Sequence, residues 1–156
     1  MGKKACRYAV NLVVVEIPEG VERIGDYAFD ECINLNTVSF PTTLTYIVGG
    51  AFFCCSSLEN VDLLHTNLQQ LGDKAFVGCS KLKSMTIPDS IKTLGHNVFI
   101  DCSNLVPASI DISPWEDEDD EPPVDITSEV VAYLRDQQRI AAELTSKLTT
   151  DVTAPL

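Results

Sequence analysis

The sequence predicts a repeat solenoid of the α/β class. Its coils carry short parallel strands and helical or 3₁₀ return segments, and an amphipathic helix follows at the C-terminus. Three observations carry this reading. The segment Phe-x-x-Cys-x-x-Leu occurs four times, and its cysteines lie 23, 24 and 23 residues apart. A fixed period of this length is the mark of a solenoid. Each unit also holds an apolar pair with one residue between, and the C-terminal segment holds an apolar stripe at helical spacing.

The apolar pairs are Val15/Ile17, Val38/Phe40, Val61/Leu63, Met85/Ile87 and Ala108/Ile110. A period of two puts both side chains on one face of a short strand. Pro18, Pro41 and Pro88 follow three of these pairs, and proline, lacking an N–H, ends a strand. Next come Val21/Ile24, Leu44/Ile47, Leu68/Leu71 and Ile91/Leu94. Their spacing of three suits a helical or 3₁₀ return. Gly25, Gly72 and Gly95 turn the chain or let neighbouring coils approach. The repeated motif supplies the candidate core: Phe29, Cys32, Leu35, Phe52, Cys55, Leu58, Phe76, Cys79, Leu82, Phe99, Cys102 and Leu105. One coil cannot bury its apolar face alone, so stability needs about three or more stacked together.

Ile17-Pro18-Glu19-Gly20-Val21-Glu22-Arg23-Ile24-Gly25-Asp26-Tyr27-Ala28-Phe29-Asp30-Glu31-Cys32-Ile33-Asn34-Leu35 resembles the leucine-rich repeat superfamily. The likeness is strongest to its BspA-type branch, whose units read roughly I-P-x-x-V-x-x-I-G-x-x-A-F-x-x-C-x-x-L. It covers roughly residues 12–110. Val48 stands for the Gly, Leu64 for the Pro and Val98 for the Ala, and one extra residue lies between Leu63 and Leu68. The resemblance implies a solenoid used as a recognition or interaction scaffold, and names no partner. The chain enters the array partway through a coil: Leu12 is in register with Leu35, while Cys6 and Ala9 stand at the Phe and Cys positions.

Evenly spaced cysteines argue against a metal or disulfide framework. Cys32, Cys55, Cys79 and Cys102 occupy one position of successive coils, so they form a ladder with rungs about 4.7–4.9 Å apart. Four collinear sulfurs do not converge on one tetrahedral zinc. Stacked identical side chains point in parallel, not toward each other. The reading is a reduced, buried ladder, with Cys54 pointing elsewhere and Cys6 unassigned.

Residues 1–113 carry eight Lys and Arg against twelve Asp and Glu; residues 114–156 carry three against eleven. No basic stripe exists to neutralise phosphates, so nucleic acid is not an expected partner, nor is an anionic membrane. The start has no apolar signal-peptide core, and Cys6 breaks the myristoylation pattern. A cytoplasmic protein is the expectation. The two histidines, His65 and His96, have no partner constellation, and no nucleotide, zinc-protease or serine-hydrolase motif occurs. The expectation is therefore no enzyme, no metal and no cofactor.

Binding must use the variable residues. Those alternating with the core pairs face outward on the concave side: Val14, Glu16, Thr37, Ser39, Asn60, Asp62, Ser84, Thr86, Pro107 and Ser109. They form a strip of small hydroxyl and acidic groups, the candidate surface for a protein or peptide partner. It lacks the Trp, Tyr and Arg that usually dominate interfaces.

Residues 114–124 read as an acidic linker, with the unbroken run Glu116–Glu121 before Pro122-Pro123. Residues 125–150 read as an amphipathic helix, N-capped at Thr127, with a stripe of Val130, Leu134, Ala141, Leu144 and Leu148 interrupted by Gln137. Residues 151–156 read as a disordered end. The stripe either caps the open end of the solenoid or pairs with a partner or a second copy. The expected role is a protein-interaction or scaffold module; the alternative is a structural piece of a larger repeat protein.

Overall fold

The computed structural model describes residues 1–105 and the helical backbone of 126–151, with side chains in that helix at 130–140, 142, 143 and 146. The pair Ala108/Ile110, the positions Pro107 and Ser109, the linker 114–124, the end 152–156 and the stripe residues Ala141, Leu144 and Leu148 lie outside the described residues.

Every coil has three sides. The first is a three-residue strand: β1 (Val14–Glu16), β3 (Thr37–Ser39), β5 (Asn60–Asp62) and β7 (Ser84–Thr86). β1 pairs with β3 and β5 with β7, both parallel, with Val15 opposite Val38 and Val61 opposite Met85. Val38, Val61 and Met85 point into the core, as period two requires.

The second side corrects the expected helical return. Arg23–Ile24 (β2), Tyr46–Ile47 (β4), Gln70–Leu71 (β6) and Thr93–Leu94 (β8) are strands, and they join in one continuous parallel sheet in the order β2-β4-β6-β8. The spacing of three between Val21 and Ile24 arises from a turn, not a helix. Val21 N–H closes onto Pro18 C=O at 3.3 Å, and two residues of strand then bring Ile24 to the core.

The third side is an arc of turns with no continuous helix. Two residues per coil adopt left-handed backbone: Lys4, Tyr27, Gly50, Lys74 and Asn97 at one position, Tyr8, Glu31, Cys54, Gly78 and Asp101 at the other. These turns aim alternate N–H groups along the solenoid axis. Tyr27, Phe29 and Glu31 donate to Gly49, Ala51 and Phe53 of the next coil at 3.1, 2.8 and 2.8 Å. The same triplet recurs from Lys4, Cys6 and Tyr8, from Gly50, Phe52 and Cys54, and from Lys74, Phe76 and Gly78. Every donor points toward the C-terminal side.

Between the three sides lies one core. Phe29, Phe52 and Phe76 stack with ring centroids 5.1 Å apart, and Phe76 meets Phe99 at 6.3 Å. All twelve motif residues are buried. Each buried thiol also donates to the preceding coil: Cys55, Cys79 and Cys102 Sγ reach the carbonyls of Phe29, Phe52 and Phe76 at 3.1–3.3 Å, and Cys32 reaches that of Cys6 at 3.0 Å. At the corner after the two-residue strand, coils nearly touch. A Cβ added at Gly72 would lie 2.6 Å from the backbone of Val48 and Gly49, and one at Gly95 would lie 2.2 Å from Asp73 N. Val48 holds the same corner in the second unit, half-buried.

The helix α1 runs Ile126–Asp151, so Thr127 lies inside its first turn and is not the cap. Val130, Val131 and Leu134 are buried in the solenoid core, and Ile87 N–H donates to Gln138 Oε1 at 3.3 Å. Gln137 is exposed. The helix thus lies on β7 through its first half.

Two substitutions measure the stack. Phe76→Ala empties a central rung and is expected to cost about 3–5 kcal/mol in urea unfolding. Gly72→Ala adds one methyl against backbone and is expected to cost about 1–3 kcal/mol; a neutral result would remove the close-approach argument.

Candidate functional site

On the first side, Glu16, Thr37, Ser39, Asn60, Asp62 and Ser84 are exposed and Thr86 is half-buried. Parallel register sets them in two rows, Thr37 beside Val14 and Ser39 beside Glu16, then Ser84 beside Asn60 and Thr86 beside Asp62. In the second pair of strands the polar groups serve one another. Ser84 Oγ donates to Asn60 Oδ1 at 2.6 Å, and Thr86 Oγ1 donates to Asp62 Oδ1. Thr86 Oγ1 in turn accepts the N–H of Leu63 at 2.9 Å, and Asp62 Oδ1 accepts that of Leu64 at 3.1 Å. The Thr86 hydroxyl, then the Leu64 N–H, hold the Asp62 carboxyl below its ordinary range. Much of this strip therefore ties coil to coil, which leaves fewer groups for a partner.

The second side carries chemistry that sequence reading missed. Arg23, Tyr46, Gln70 and Thr93 form its outward row, because each precedes an inward Ile or Leu in a two-residue strand. The Arg23 guanidinium lies 5.5 Å from the Tyr46 ring centroid. Beside this sheet a groove of about 460 Å³ runs over the glycine corner. Its floor includes Gly49, Gly72 and Gly95, and its polar lining is Asp26, Gln70, Asp73, Thr93 and His96. Asp73 Oδ1 accepts the His96 N–H at 2.8 Å, which holds that carboxylate at the rim. Reading these positions as helix scattered them around an axis; as strands they form one row.

All six cysteines are free. Burial pushes the thiols of Cys32, Cys54, Cys55 and Cys79 up. Among the described residues no group of three or more His, Cys, Asp or Glu is placed to hold a metal, and no helix is long and apolar enough to cross a membrane. His65 and His96 are exposed. A half-buried ion pair also went unread: Arg7 Nε donates to Asp30 Oδ2 at 2.6 Å, and Asp30 is buried while the Arg7 side chain stays 32% exposed.

A chain of three-sided coils with a Phe-Cys-Leu spine defines a class. The BspA type Leucine rich repeat region matches residues 1–114 in six copies, and the chain belongs to that family. Among solved structures it is similar to the T. pallidum Leucine Rich Repeat protein (TpLRR), with 35% identity and a TM-score of 0.65 over 67% of this chain and 48% of that one. It thus spans about half the length of that protein. A leucine-rich repeat protein from Bacteroides ovatus ATCC 8483 matches at 20% identity and a TM-score of 0.30, over 65% of this chain and 44% of that one. No curated protein matches the chain.

Two measurements follow. Brief alkylation of the native protein should modify Cys6 and Cys54 and spare the four buried thiols; rapid loss of all six would contradict the ladder. Asp62 stabilises the fold where it is ionised, so its contribution is full above the unfolded carboxyl pKa of about 3.9 and is lost as pH falls through its lower folded value. The stability gap between the native chain and Asp62→Asn should therefore narrow as pH falls from neutrality to about 2.

Proposed function

We infer that this chain is a protein-binding repeat module whose interface is the second sheet and its groove. The observation that supports this most is the joint placement of Tyr46, Arg23 and a polar groove along one continuous four-stranded sheet. Tyr and Arg are the side chains that most often anchor interfaces. The carboxylates of Asp26 and Asp73 at the groove, in a chain of net charge −12, favour a basic extended segment as the bound element. The role is binding rather than catalysis, in keeping with the repeat fold.

The outward strip of Glu16, Thr37, Ser39, Asn60, Asp62, Ser84 and Thr86 is the competing surface. A set of basic peptides offered to the immobilised chain separates the two. Tyr46→Ala with Asp73→Asn, which keeps an oxygen acceptor for the His96 N–H, is expected to weaken capture at least about tenfold, a loss of 1.4 kcal/mol, with the cooperative thermal transition retained. Ser39→Arg with Asp62→Arg is expected to leave capture intact. The opposite pattern would move the interface to the strip.

A second reading, a structural piece of a larger repeat protein, draws support from the chain spanning about half of its T. pallidum relative.

A further inference from the structure

The groove on the second side repeats with the coils, so its polar groups stand at fixed steps along the solenoid axis. Asp26, Gly49, Asp73 and His96 hold one position of four successive coils. Each lies two residues beyond Ile24, Ile47, Leu71 or Leu94, which pair in register. Neighbouring parallel strands lie about 4.7–4.9 Å apart, and the rings of Phe29, Phe52 and Phe76 keep a similar step of 5.1 Å. Asp26 and Asp73 are two coils apart, so their backbones stand about 9–10 Å from each other along the axis.

The carboxylates keep that distance because both lean the same way. Asp73 Oδ1 accepts the His96 N–H of the next coil at 2.8 Å. Asp26 Oδ1 also reaches the next coil, 3.7 Å from where a Cβ on Gly49 would stand. Gly49 puts no side chain between them. Beside this line runs the outward row of Arg23, Tyr46, Gln70 and Thr93. Gln70 and Thr93 are exposed and offer N–H and O–H donors. The groove therefore has two parallel columns, one acidic and one carrying an aromatic ring and donors.

We propose that the groove binds its basic segment as a polyproline II helix lying along the solenoid axis, with Lys or Arg at two positions three residues apart. This rests on the second sheet being the interface. The step between carboxylates selects the conformation. A polyproline II helix has three residues per turn and rises 3.1 Å per residue, so its same-side residues recur at about 9.3 Å. A β-strand brings same-face residues together at about 6.5–7 or 13 Å, and its residues three apart face opposite ways. An α-helix matches only at seven residues, about 10.5 Å, and its body, about 10–12 Å across, holds its own backbone groups paired and away from the glycine floor. The polyproline II backbone has no internal hydrogen bonds, so its carbonyls are free for Gln70 and Thr93. Its three-sided section serves both columns. One edge meets Asp26 and Asp73, and the next sets a proline ring against Tyr46, as such segments do in aromatic-lined grooves.

Three capped peptides of equal charge and equal Gly-Ser flanks test this by calorimetric titration into the full chain. Their centres are Lys-Pro-Pro-Lys, the reordered Pro-Lys-Lys-Pro and the strand-forming Lys-Val-Thr-Lys. The first is expected to bind at least fivefold tighter than the other two. Asp26→Asn and Asp73→Asn should each weaken it at least threefold. With one of its lysines replaced by norleucine, only one of these two substitutions should still matter, and which one gives the direction of the bound segment. Tyr46→Ala should cost the Lys-Pro-Pro-Lys peptide at least threefold and the strand-forming peptide little. Equal binding of all three peptides, or tightest binding of another, while Asp26→Asn and Asp73→Asn still weaken it, overturns the polyproline II fit and leaves the interface standing. Binding of none, or binding indifferent to Asp26→Asn, Asp73→Asn and Tyr46→Ala, overturns the interface as well.

Discussion

Each coil must present to the next the shape that the previous one presented to it. Three contacts enforce this at once: the Phe29-Phe52-Phe76-Phe99 stack, the close backbone approach at Gly25, Gly72 and Gly95, and the N–H triplets of the arc. None can shift alone. Moving one coil along the axis opens the ring stack, and tightening it drives the corner backbones together. The core is shared between neighbours, so no coil owns its stability.

The cysteine rung shows the constraint at the level of one atom. Phe29, Phe52 and Phe76 each lend a carbonyl to the turn that ends at their own Cys, and a thiol from the next coil adds a second donor. Cysteine suits that position because it is small and apolar enough for the interior and still carries a weak donor. Its spacing in sequence follows from the stacking, not from a metal or a disulfide.

The period, the spine and the first strand row were legible because each rests on a repeated residue type. The second sheet was not. A strand of two residues has no room to display alternation, and Val21-x-x-Ile24 mimics a helical spacing across a turn. The left-handed positions gave no signal either, since Tyr27, Glu31, Cys54, Lys74, Asn97 and Asp101 are not glycine. Their backbone is set by the hydrogen bonds of neighbouring coils, a tertiary cause that composition does not carry. For the same reason Tyr46 and Arg23 escaped notice as a surface pair, while Glu16, Ser39 and Asp62 could be placed outward from period two alone. The first half of α1 lies on β7, which supports the capping reading of the helix over free pairing for Val130 and Leu134.

The central claim is that the stack is one cooperative unit. Native-state amide hydrogen exchange at Phe29, Phe52 and Phe76 tests it most directly, because each of these N–H groups bridges a different pair of coils. A shared core requires all three to exchange at one common free energy, equal to that of global unfolding and equally sensitive to denaturant. Three separate free energies, with coils opening one by one, would contradict the account.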